Sequence, residues 1–250
     1  MKRLASLILF ALTLIPLAGC SPTPPSPTPE PVTLQYIGHS STLITAPDGT
    51  RILSDPYSAS RPKGLSLFPD DIEADALTIS HSHPDHTAIL LGVPQRFFEP
   101  GSYQVGMVKI TGYESDHGLI DGKSTGTNTV FVFEIGEIKI VHMGAAGVVT
   151  QPDILAAMEN ADVIILDIHG DAAHPLNEQI AQMSEVNART VIPTHYSCEE
   201  RARYFAAVTL DEFLELLPAE AAIMRAGSEI QIVPNMPEQI AVLTPLTLEE

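Results

Sequence analysis

Apolar and polar positions alternate through the first part of the folded region. Residues 32–37 (VTLQYI), 41–46 (STLITA) and 50–53 (TRIL) carry that period-two pattern, with a turn at Pro47-Asp48-Gly49, and predict two or three paired strands. Residues 61–75 read as a loop. Residues 76–80 (ALTIS) form a short apolar run that stops abruptly at His81, which predicts a buried strand feeding a functional loop. A helix is expected to start near residues 87–91. Strands follow at 104–111, 129–135 and, past a Gly136 turn, 139–143. From there the pattern alternates: helix 151–160 with Pro152 in its first turn, strand 162–168, helix 175–187, strand 190–193, helices 199–207 and 211–217, and strand 229–233. Strands first, then strands alternating with helices, give an α/β or α+β class.

The first 32 residues fall outside this pattern. Lys2 and Arg3 precede an apolar run of about 14 residues, short of the ~20 that span a bilayer as a helix, and small residues then lead to Cys20. That is the layout of a secretory leader. Leu17-Ala18-Gly19-Cys20 resembles the lipobox of bacterial lipoproteins, which implies cleavage before Cys20 and lipid on its thiol. Residues 21–32 (SPTPPSPTPEPV) are half proline and predict an extended tether. The expected organisation is a leader at 1–19, lipidated Cys20 and tether at 20–32, one domain at 33–235 and a C-terminal tail at 236–250.

Charge and cysteine content narrow the function. The chain carries −18, and losing Lys2 and Arg3 with the leader makes it −20. Such a surface repels nucleic acid and anionic headgroups, so nucleic-acid binding is not expected. A small anionic substrate stays open, because a bound cation dominates its own neighbourhood. Of the two cysteines, an acylated Cys20 leaves Cys198 with no internal disulfide partner; Cys198 reads as a small core residue. Nothing in the sequence specifies an oligomeric state.

Nine histidines remain to be explained, and most stand where a predicted strand ends: His81, His83, His117, His142, His169 and His195. The densest group is His81-Ser82-His83-Pro84-Asp85-His86. Imidazoles and a carboxylate suit zinc and similar divalent ions. His81 and His83, two apart on extended chain, point the same way and can share one ion. Asp85 and His86 project beyond the Pro84 turn toward a second.

His-x-His-x-Asp-His after a strand resembles the signature of the metallo-β-lactamase superfamily. Residues 36–44 (YIGHSSTLI), 52–56 (ILSDP) and 191–196 (VIPTHY) resemble the branch that contains L-ascorbate-6-phosphate lactonase. The resemblance spans roughly residues 33–233 and implies a four-layer αβ/βα sandwich with its site at one edge of two facing sheets. It implies His81, His83 and His117 as ligands of a first metal and Asp85, His86 and His195 as ligands of a second. Asp55 resembles a carboxylate that orients a ligand imidazole. One departure stands out. The family places a metal-bridging carboxylate in a Gly-Asp pair, and here the pair is Gly144-Ala145. Either one ion remains, or another residue substitutes, or hydrolase activity has been lost. Asp167 and His169 at the next strand end are the expected substitutes. His142 is a weaker ligand candidate, His39 is expected to bond backbone near the site, and His174 to start a helix.

Zinc, or manganese or iron, as one or two ions would give a metal-bound hydroxide at neutral pH, with Asp85 orienting the water and receiving its proton. The expected reaction is hydrolysis of a small ester, lactone or phosphoester at the cell envelope. No serine nucleophile elbow, phosphate loop or dinucleotide fingerprint competes with it. The alternatives are a non-catalytic envelope binding protein that keeps the fold, supported by Ala145, and a metal-sequestering lipoprotein. Specificity is expected in residues 57–75 and 92–103.

Overall fold

A computed structural model of the chain describes residues 31–58, 65–88, 92–197 and 208–247. The leader, Cys20, the tether up to residue 30, Cys198 and the helix expected at 199–207 lie outside the described residues; of the helix expected near 87–91, residues 87 and 88 are described and are not helical.

The N-terminal strands are β1 (Val32–Gly38), β2 (Ser41–Thr45), β3 (Arg51–Ser54), β4 (Ala76–Thr78) and β5 (Gln95–Phe97). Antiparallel hairpins follow: β6 (Gly101–Val105), β7 (Val108–Asp116), β8 (Leu119–Ile120), β9 (Lys123–Ser124), β10 (Thr127–Ile135) and β11 (Ile138–His142). Then come α1 (Pro152–Met158), β12 (Val163–Asp167), α2 (Leu176–Glu185), β13 (Thr190–Thr194), α3 (Leu210–Glu215), β14 (Ile223–Ala226), β15 (Glu229–Ile232) and β16 (Gln239–Leu243).

These strands form a six-stranded sheet in the order β15-β1-β2-β3-β4-β5 and an eight-stranded sheet in the order β14-β16-β13-β12-β11-β10-β7-β6. One buried cluster joins them: Leu34, Tyr36, Ile44 and Ile52 from the first sheet pack with Phe131, Ile140 and Ile164 from the second. Strands β11, β12, β13, β16 and β14 run parallel. Crossovers between parallel strands of one sheet are right-handed almost without exception, a rule that sets α1 and α2, which link β11 to β12 and β12 to β13, on the same face of that sheet. The far face of the six-stranded sheet, with Leu43, Leu53 and Leu77, is covered by Phe68, Ile72 and Ala74 of an irregular segment. Strand β12 is buried throughout, and its VIILD run is the two-sided pattern of a central parallel strand.

Two expectations change. The strand expected at 104–111 is a hairpin: Gly106, at φ 51, turns the chain between β6 and β7, so Gln104 pairs with Lys109. The segment from 236, expected as a tail, supplies β16, which lies between β13 and β14 in the larger sheet. Residues 246 and 247 continue it back to β1, where Leu246 N–H donates to the Tyr36 carbonyl at 3.0 Å and Thr247 N–H to that of Ile37 at 3.1 Å.

Strand direction decides where the polar side chains gather. In the smaller sheet β1, β3 and β4 run the same way, and in the larger sheet β7, β11, β12 and β13 do. Their C-terminal ends carry His39, Asp55, His81, His117, Ala145, Asp167 with His169, and His195 respectively. The two edges are tied together. His195 N–H donates to the His39 carbonyl at 2.9 Å and Thr129 N–H to that of Ser80 at 2.7 Å. The His142 ring sits 3.1 Å from the Ser40 carbonyl.

Candidate metal centre

Three of the gathered side chains follow their strands in a left-handed backbone conformation: His39 at φ 55, Asp55 at φ 44 and His195 at φ 61. Such a conformation is uncommon for a residue with a Cβ, with Asp and His enriched in it, and survives where its surroundings fix it. The His39 carbonyl accepts both His195 N–H, at 2.9 Å, and the Tyr36 hydroxyl, at 2.8 Å. The sharp bend after each strand returns these side chains toward the gap between the sheets.

Two adjoining groups result. The ligand atoms of His81, His83 and His117 lie within 4.8 Å of one another, as do those of His39, Asp85, His86 and His195, and either group could hold a metal ion. The groups touch through His81 and His86, whose ring centres are 4.1 Å apart. Asp55 also falls within 4.8 Å of His81 and His86, but it is committed. Its Oδ1 accepts Ser80 N–H at 2.7 Å, and its Oδ2 accepts the Ser80 hydroxyl at 2.5 Å and faces His86 Nδ1 at 3.0 Å. It therefore holds the His86 ring in place. Asp167 does the same for His195, with Oδ2 2.7 Å from Nδ1, while its Oδ1 accepts His169 N–H at 2.7 Å.

With their Nδ1 atoms occupied, the histidines present Nε2 inward. The Nε2 atoms of His81, His86 and His195 are buried and make no hydrogen bond. A buried polar atom left without a partner costs about 1–3 kcal/mol, and three together are what a cation-binding centre requires before the cation is added. The donor set fits a borderline divalent ion.

Electrostatics separate the rings. Burial, reinforced by His86, pushes His81 down to about 2; burial and His195 push His39 down to about 3; burial and His174 push His117 down to about 4. These rings are neutral and able to ligate. Burial also opposes charge on His195, but Asp167 and Asp85 overcome it and push the ring up to about 10, so the metal-free ring is protonated and a bound ion must displace its Nε2 proton. Burial works against ionised Asp85, yet His195, His39 and His86 hold its carboxyl far below the usual range. Asp55 and Asp167 are likewise held ionised by the imidazoles they face, so three carboxylates stand beside the one raised ring.

Among the expected residues, His81, His83, Asp85, His86, His117 and His195 are brought together. His169 and Asp167 stand beside them, outside the three groups that could hold an ion. His142 is turned to the fold: its Nε2 faces the Ser40 carbonyl and its Nδ1 accepts Gly144 N–H at 3.1 Å. His39, expected to bond backbone, instead meets Asp85, with Nε2 2.9 Å from Oδ2. Its place one residue past a strand end, directly after Gly38, was the signal that could have grouped it with the others. His174 is a buried connector, not merely a helix start, with Nδ1 2.7 Å from Asp171 Oδ1 and Nε2 3.0 Å from the Ala145 carbonyl. Beside His81 opens a cavity of about 670 Å³ whose wall includes Arg96, Phe98, Glu99, Tyr103 and Glu114. Residues 96–100 and Tyr103 form much of that wall.

The architecture and this edge of histidines define a class. The family model described as a Beta-lactamase superfamily domain matches residues 33–195, and the chain belongs to that superfamily, with the metallo-β-lactamase fold. It is similar to the UPF0173 metal-dependent hydrolase of Thermococcus onnurineus, 26% identical over 80% of this chain and 100% of that one. It is also similar to one of the same name from Carboxydothermus hydrogenoformans, 23% identical over 66% and 84%. A Thermotoga maritima structure of the metallo-beta-lactamase superfamily is 26% identical, covers 85% of this chain and 98% of that one, and superposes with a TM-score of 0.66.

Proposed function

We propose that the chain is a metal-dependent hydrolase of a small ester, lactone or phosphoester. The observation that carries this reading is the set of three buried, unbonded Nε2 atoms converging beside an ionised Asp85. In this reading His81, His83 and His117 hold one divalent ion, and Asp85, His86 and His195 hold a second. When bound, such an ion lowers the pKa of a water from 15.7 to about 7 and offsets charge on the substrate oxygen. The chain's own residues do the rest. Asp55 and Asp167 fix the rings of His86 and His195, and neutral His39 donates from Nε2 to Asp85. Asp85 stays ionised and accepts a hydrogen bond that orients the attacking water. The cavity beside His81 takes the substrate, with Phe98 and Tyr103 as apolar wall and Arg96 as a cation in its lining. The relatives' shared name supports metal-dependent hydrolysis. The name of the Thermotoga maritima protein invokes zinc, which is the metal we assign, with manganese or iron compatible with the same ligands. The lactone is included because residues 36–44 and 191–196 resemble the ascorbate-6-phosphate lactonase branch.

Protein purified without chelator is expected to carry near-stoichiometric zinc, manganese or iron and to turn over members of an ester, lactone and phosphoester panel. Chelation should abolish that activity and re-addition of metal restore it. Turnover indifferent to chelation would overturn the reading. The second reading, a non-catalytic binding protein, is favoured by Ala145 alone; metal bound without turnover of any panel member would support it.

The same proposal sets the mature chain on a membrane surface through lipid on Cys20, spaced by the proline-rich tether, with no nucleic acid as partner. Cys20→Ala should move the protein from the membrane to the soluble fraction. A variant still in the membrane fraction would contradict lipid anchoring at that thiol.

A further inference from the structure

The loop after β11 is where the superfamily resemblance calls for a carboxylate, and its structure is firmly set. Ala145 is 1% exposed. Its N–H donates to Asn128 Oδ1 at 3.0 Å and its carbonyl faces His174 Nε2 at 3.0 Å. A methyl group held there offers no ligand atom. The neighbourhood is bounded by His174, whose ring centre is 5.5 Å from His117 on one side and 5.5 Å from His169 on the other. His169 in turn is 5.0 Å from His195. His174, which holds the Ala145 carbonyl, thus stands between His117 and His169, with His195 next to His169.

Three side chains next to it could compensate. Asp167 is bonded at both oxygens, to His195 and to His169 N–H. His174 is bonded at both nitrogens, to Asp171 and to the Ala145 carbonyl. His169 differs. Its Nε2 stands 3.4 Å from Asp171 Oδ2, while its Nδ1 is buried and makes no hydrogen bond. A carboxylate on one ring nitrogen and a bare, buried second nitrogen is the arrangement of a metal-ligating histidine. Among the described residues no group whose ligand atoms already lie within 4.8 Å of one another includes His169, so joining the ligand set requires its ring to move.

We propose that His169, through Nδ1, supplies the ligand that Ala145 cannot, so that the centre keeps two ions without the bridging aspartate. This rests on the metal-dependent reading above and extends it. The test is cobalt(II) binding to the full-length protein, wild type against His169→Ala and the more conservative His169→Gln. Readouts are metal per chain after dialysis, affinity by chelator competition, and the visible cobalt absorption. Circular dichroism melting checks that each variant is folded. The expected result is loss of one equivalent, or at least tenfold weaker binding of it, with a shifted absorption band. Adding Ala145→Asp to His169→Ala should restore the equivalent. Wild-type stoichiometry, affinity and spectrum in both His169 variants would overturn this inference and leave the metal centre standing. A wild-type chain that takes up no cobalt would overturn both.

Discussion

The two halves of the centre are built differently. The half formed by Asp85, His86 and His195 is buried, and its rings are held by buried carboxylates: Asp55 on His86 and Asp167 on His195. In the half formed by His81, His83 and His117, His83 is exposed and His117 half-buried. The ring partners there are hydroxyls, Ser80 Oγ at 3.0 Å from His81 and Thr125 Oγ1 at 3.4 Å from His117. A carboxylate behind an imidazole fixes the tautomer and raises ligand basicity; a hydroxyl does less of both. One half is preorganised for tight binding, and the other faces the cavity and solvent. On the metal-dependent reading proposed above, the buried half would hold a resident ion and the other half a substrate-facing one.

The largest effect should come from removing ligands of the buried half. His86→Ala or His195→Ala is expected to lose the tighter-bound metal and to reduce kcat/KM by more than the ~10–100-fold typical of losing an orienting partner, measured by elemental analysis and steady-state kinetics. His83→Ala should spare that tighter ion; equal losses from His83→Ala and His86→Ala would erase the distinction. Next comes the pH dependence of the metal-free protein. His81, His39 and His117 are depressed to about 2, 3 and 4. The unfolded chain therefore binds more protons below about 6.5, and stability falls as the pH drops toward those values. His195 is raised to about 10. Its contribution is present in full below about 6.5 and is lost as pH rises through 10. Thermal melting of chelator-treated protein should thus peak near neutrality and fall on both sides. A melting temperature flat from pH 4 to 9 would contradict the buried, coupled rings.

The sequence made the middle of the fold legible because its strands are buried on both sides. The apolar runs at 129–135, 139–143 and 162–168 correspond to β10, β11 and β12 within three residues at each end. β16 was missed because QIAVL follows Met236-Pro237 and looks like a departing tail; it is a strand only because β13 and β14 flank it. β5 (QRF) is polar and largely exposed, so no period marks it. In the site, the His81–His86 loop is legible from local spacing. His117 and His195 came from resemblance, since 31 and 109 residues separate them from His86 and only strand direction brings them back. His39 was hidden because its partner, Asp85, lies 46 residues away. Asp167 was visible as a polar strand end, but not that both its oxygens are already bonded.

The smaller effects test the orienting partners against each other. Asp167→Asn keeps the shape but weakens the charge-assisted partner of His195 Nδ1. Metal affinity of the buried half is expected to fall about 10–100-fold, with the cobalt band of that half shifted and the other unchanged. Ser80→Ala removes the hydroxyl facing His81 Nδ1, and with it one of the three contacts that Asp55 accepts. A neutral hydrogen bond contributes about 1 kcal/mol net, so His81-dependent affinity should change by less than about tenfold. Asp55 retains Ser80 N–H and His86, and the buried half should be almost untouched. Competition titrations of the two variants side by side give the answer. If Ser80→Ala matched Asp167→Asn in its cost, the hydroxyl-supported half would be as preorganised as the carboxylate-supported one, and the two ions would be held alike.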